Sequence, residues 1–181
     1  MDPLSTLHEH LEALPPEKRR EMAEAHKGLK GIKSLTAGVH PLTPEVREFF
    51  GVAPGDILRA TNAQLRAAGF PVQEGGLVTV DTERAGIIFC ASLGERVDAL
   101  VGGRLQPCCP VFFETDVVRR VWCPTGTGLA GNWLIAPVWR FTEQAIVTKE
   151  EAPERMFAVF RACCDLAVFI HDLVNNQQRQ P

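Results

Sequence analysis

A chain of 181 residues with 45% apolar content can bury the core of one domain, or of a domain with a small appended module, which argues against disorder. A net charge of -3 and a pI near 6.0 exclude a broad basic field, so affinity dominated by nucleic acid is not expected. Met1-Asp2-Pro3-Leu4-Ser5-Thr6 lacks the basic stretch of a signal peptide and no apolar run is long enough to cross a bilayer, so a cytoplasmic protein with no membrane partner is expected.

Leu4, Leu7, Leu11 and Leu14 recur at helical spacing, and Pro15-Pro16 ends that run. A polar helix is predicted over Glu17 to Lys27. After a glycine-punctuated link, Thr43-Pro44-Glu45 opens a short helix to Phe50. Pro54-Gly55-Asp56 opens another with Ile57, Leu58, Thr61 and Leu65 on its apolar face, closed by Gly69. These two helices, followed by strands at Leu77–Val80 and Gly86–Phe89, have the order of a winged helix. The second helix carries only Arg59 and Arg66 as cations, so a helical platform packed on a sheet without DNA is the simpler expectation.

From Leu77 to Phe141 the chain reads as β-rich, with strands at Val111–Glu114, Val117–Trp122 and Trp133–Phe141. One long helix is predicted over Glu151 to Asn175, burying Met156, Phe160, Cys163, Ala167, Ile170 and Val174, before a polar tail expected to be disordered. The fold class expected is α+β: a helical N-terminal module over 1–76, then a β-rich domain over 77–181 with a mostly antiparallel sheet and a long C-terminal helix. The apolar last helix is also a candidate surface for homodimerisation.

Six cysteines carry the chemical interest, four of them between Cys90 and Cys123. In a reducing cytoplasm they are not expected to form three disulfides. A hairpin turning at Thr115-Asp116 sets Cys108 or Cys109 opposite Cys123, depending on loop length, with Cys90 reaching them from the preceding strand. Three readings stay open. Structural zinc wants paired ligand spacing, which adjacent cysteines do not offer. Free cysteines also serve as small buried hydrophobes, the expectation for Cys163 and Cys164. The third is a catalytic or soft-metal thiolate pair with an acid nearby, the candidate acids being Glu95, Asp98, Glu114 and Asp116.

Other motifs carry less. Gly126-Thr127-Gly128-Leu129-Ala130-Gly131 matches a dinucleotide-binding pattern, but a strand is predicted to follow where a helix N-terminus is needed. His171 lies two helical turns from Cys164, too far for the two alone to chelate one ion.

Val80-Asp81-Thr82-Glu83-Arg84, Phe89-Cys90-Ala91 and, after seven intervening residues, Ala99-Leu100-Val101-Gly102 resemble the alkylmercury lyase family. Cys123-Pro124-Thr125-Gly126 is similar to a Cys-Pro-x-Thr-Gly turn of that family, and Cys108-Cys109-Pro110-Val111-Phe112-Phe113 to its later cysteine motif. The resemblance implies two thiolates that grip mercury while an acid or thiol protonates the departing carbon. Cys90 matches the first thiolate and Cys109 or Cys108 the second; Cys90, Cys109 and Cys123 are the candidate metal ligands. No cofactor is implied beyond a soft metal ion as substrate or product. The sequence departs from the family at Leu93, where the family usually has aspartate, and in the order of the two later cysteine motifs. Metal binding without cleavage is compatible with the same residues, and the alternative from another class is a noncatalytic small-ligand-binding or regulatory module.

Overall fold

The computed structural model describes residues 7–73, 81–124 and 131–176, and its elements run α1 (Leu7–Glu12), α2 (Pro16–Ala25), a 3-10 turn (Lys27–Leu29), β1 (Ser34–Val39), α3 (Pro44–Phe50), α4 (Pro54–Ala67), β2 (Arg84–Leu93), β3 (Val97–Val101), β4 (Arg104–Pro124), β5 (Gly131–Val147) and α5 (Ala152–Asn176). Helices and a mixed sheet make this an α+β fold with a long C-terminal helix. The first predicted strand of a wing, Leu77–Val80, lies outside the described residues.

Local chemistry explains the N-terminal helices. Thr43 caps α3, its Oγ1 accepting from Val46 N at 3.4 Å, and Gly51 ends it at φ +62°. Asp56 reaches back across the first turn of α4 to accept from Ala53 N at 3.1 Å. Strand β1 falls in what reads as a glycine-punctuated link. It is short and buried at Ser34, Leu35 and Thr36 in succession, so it lacks the alternation that marks a half-exposed strand. Helices α3 and α4 connect β1 to β2, which pair in parallel from Ser34↔Arg84 to Val39↔Phe89.

The remaining sheet is antiparallel and centred on β4. Along one edge β4 pairs first with β3 and then with β2; along the other it pairs with β5. Gly102 and Gly103, at φ +57° and +79°, form the two-residue turn joining β3 to β4, a conformation that disfavours side chains bearing Cβ.

No hairpin turns at Thr115-Asp116. Strand β4 runs through both residues, with Thr115 between Phe89 and Phe141 and Asp116 between Ile88 and Arg140. The β-branched Thr115 is fully buried, and Arg140 directly across from Asp116 neutralises a carboxylate that would otherwise mark a turn. Val111, Phe113, Thr115 and Val117 face α5, whose Met156, Phe160, Cys163, Ala167, Ile170 and Val174 are buried as the helical spacing predicts. Phe160 is the hub, its ring 4.4 Å from Phe89 and 6.1 Å from Phe113, with Phe50 joining from α3 at 5.9 Å from Phe113. One apolar core thus includes residues of α3, α4, the sheet and α5.

Candidate functional site

The chemistry-bearing residues meet where β4 changes partners. Strand β2 leaves β4 after Leu93↔Val111, with Gly94 N donating to Pro110 O at 2.8 Å, and β3 takes over at Val97↔Cys108. Pro107 and Pro110 bracket Cys108-Cys109 at this handover. Neither proline has an N–H to give to a ladder, so both suit a place where regular pairing lapses.

Two cavities open at this seam. The larger, about 510 Å³, lies between the start of α3 and the end of β2; Thr43, Phe49, Leu93, Arg96, Cys109 and Lys149 are among its lining residues. The smaller, about 220 Å³, is lined by Phe49, Arg96, Pro107, Cys108, Cys109, Lys149 and Glu150. Cys109 therefore borders both, with one aromatic ring and two cations that also border both. Cys109 is 4% exposed and Cys108 2%, so access to either runs through the cavities. Glu45 and Glu48 line the larger space. Glu45 stays ionised below the usual carboxylate range, held by a backbone hydrogen bond at the helix start and by Thr43, and is a poor proton donor.

Cys90 stands elsewhere. It pairs with Glu114, five residues along β4 from Cys109, about 16 Å at the usual strand rise. Strand alternation puts its side chain on the opposite face, where Phe89 and Ala91 point to the core and Cys90 does not. Its neighbours there are Glu114, Asp116 and Arg140, the arginine donating to Asp116 at 2.7 and 2.9 Å and lying 3.5 Å from Glu114. Burial first, and then the charges of Glu114 and Asp116, push the Cys90 thiol up, so it is held protonated.

Cys123 is at the far end of β4, opposite Asn132 and separated from Cys109 by about 45 Å of extended chain. The expected convergence of Cys90, Cys109 and Cys123 on one ion is thus overturned: it required the hairpin, and β4 is continuous. Among the described residues no group of three His, Cys, Asp or Glu side chains is placed to hold a metal ion. Cys163 and Cys164 are core residues; burial pushes Cys163 up to about 12 and Cys164 higher still.

His171 is also structural, with Nε2 2.7 Å from Ile32 O and its ring edge-on to Phe70 at 4.7 Å. Gly131 opens strand β5 rather than a helix, which removes the basis for a pyrophosphate site. Arg96, Lys149 and Phe49 were invisible as site residues in the sequence, because α3 and two separate connecting segments bring them to Cys109; the one local signal was the pair of prolines around the two thiols. No protein-family model, curated protein or solved structure matches the chain.

Proposed function

We propose that this protein binds a small thiol-reactive species at Cys109, and that organomercurials are the class to test first. The observation that carries this is the position of Cys109 on both cavities, beside Phe49, Arg96 and Lys149. A space of about 510 Å³ suits a small molecule. Phe49 offers an apolar surface to an organic substituent, and the two cations attract an anionic group or counter-ion. Mercury(II) is soft and prefers sulfur, so capture needs one exchange: the S–H bond breaks and its proton passes to water, while the sulfur displaces mercury's labile inorganic ligand, chloride or water, which leaves to solvent, and mercury keeps its carbon substituent. The resemblance to alkylmercury lyases supports the choice of ligand.

Binding is favoured over cleavage. Protonolysis of a carbon–mercury bond in the manner the resemblance implies needs a second thiolate and a proton donor. Cys90 is on the other face, Cys108 borders only the smaller cavity and not the larger one that Cys109 also lines, and Leu93 occupies the place of the family's acid. Titration of reduced protein with methylmercury, followed by calorimetry and by headspace methane, separates the two activities. A first, tightest equivalent bound by wild type and by Cys90→Ser, lost in Cys109→Ser, with no methane, is the expected result. Equal binding by Cys109→Ser contradicts the assignment, and methane release shows that cleavage occurs.

A further inference from the structure

Strand β5 pairs only with β4 among the described residues, so its other edge has no strand partner. Two parts of that edge differ. Beyond Pro137 it is covered or polar: the 3-10 turn approaches so closely that a Cβ on Gly28 would lie 2.8 Å from Val138 O, and Arg140, Thr142, Glu143 and Gln144 follow. From Asn132 to Ala136 it has neither charge nor proline, the usual devices that keep an edge from pairing. Trp133, Leu134 and Ile135 are 47%, 49% and 57% exposed, and Trp122 across the ribbon is 45% exposed. In the sequence no charged residue or histidine occurs from Val121 to Trp139.

The absence of charge indicates the occupant. In a two-fold contact a surface meets itself, so any charge near the axis faces a like charge; a neutral strand avoids that cost. An anionic lipid surface instead wants free cations, and three arginines of this ribbon are engaged. Arg119 donates to Lys30 O at 2.7 Å, Arg120 lies 5.5 Å from the centre of the Trp133 ring, and Arg140 grips Asp116. The apolar face of α5, the other candidate for dimerisation, is buried in the chain's own core.

We propose that Asn132–Ala136 pairs antiparallel with the same segment of a second copy, about a two-fold axis at Leu134. The sheet then continues across the dimer, with Leu134 opposite its own counterpart and Trp133 opposite Ile135 of the partner subunit, an aromatic and β-branched cross-strand pair.

Light scattering after size exclusion should give a dimer for wild type and a monomer of unchanged circular dichroism for Ile135→Lys. Should that variant fail to fold, Leu134→Lys, altered on the ribbon's other face, serves the same purpose. In a Cys90→Ser, Cys123→Ser background, copper-phenanthroline should crosslink Leu134→Cys to a covalent dimer, because cross-strand partners lie within disulfide range. Asn132→Cys, displaced from its own counterpart, should not crosslink. A monomeric wild type, a folded Ile135→Lys or Leu134→Lys variant that stays dimeric, or equal crosslinking at both positions overturns the pairing. So does binding of a monomeric wild type to phosphatidylserine vesicles, which points to lipid instead.

Discussion

Arg140 on β5 holds Asp116 on β4 with two parallel hydrogen bonds, Nε to Oδ1 at 2.7 Å and Nη2 to Oδ2 at 2.9 Å, directly across the strand pair. A charge pair at this position belongs to a continuous strand, where each residue has a cross-strand partner. Arg140→Ala should lower the urea midpoint, and the difference from wild type should shrink at high salt, because the arginine is exposed and screened.

Thr115→Pro tests the continuity of β4 more severely. A proline at a turn position can be accommodated, whereas within a central strand it removes a ladder donor and is not tolerated. The variant should therefore fail to accumulate as folded protein, judged by near-ultraviolet circular dichroism; a native spectrum contradicts the strand assignment.

The same cluster governs Cys90. Burial is the main cause of its raised thiol, with Glu114 and Asp116 adding to it. A Glu114→Gln, Asp116→Asn variant should bring the thiol part of the way back toward its ordinary 9.0 and speed its alkylation by iodoacetamide at pH 8. An unchanged rate means that the carboxylates do not act on Cys90.

Buried Cys163 predicts loss of stability in alkali. Its thiol ordinarily ionises near 9.0, as it does in the unfolded chain, but is pushed up to about 12 in the fold, by burial first. Between those values the folded chain keeps a proton that the unfolded chain has lost. Stability is therefore intact below pH 9 and falls as pH rises, by about 1.4 kcal/mol per pH unit for this thiol. Urea midpoints of wild type and Cys163→Ala from pH 8 to 11 should show a steeper decline in wild type, whatever the variant's offset at neutral pH.

The turn before β4 admits a direct test as well. Gly103 has φ +79°, so Gly103→Ala should cost about 1–2 kcal/mol in urea unfolding. No loss would place the turn in another conformation.

The helices were legible where side chains speak for the local backbone. Thr43, Gly51 and the prolines mark the ends of α3 and α4, and the apolar spacing of α5 names its buried face. Strand β4 was less legible, because Thr115-Asp116 has the composition of a turn and only the distant Arg140 reveals its role. Gly102-Gly103 between Val101 and Arg104 was the available signal for the turn that does form. The candidate site shows the same limit. The cysteine clustering was plain, but which thiols meet depends on strand parity and register, and one misplaced turn reverses both. That displacement alone separated Cys90 and Cys123 from Cys109.

The most direct test of the central claim is to map the first adduct formed when reduced wild-type protein meets a limiting amount of methylmercury. The remaining thiols are then alkylated and the protected cysteine is located by peptide mass spectrometry. The geometry predicts protection at Cys109, ahead of the more exposed Cys90 and Cys123, because it alone among those three borders both cavities. First protection at Cys90 or Cys123, with Cys109 still open to alkylation, contradicts it.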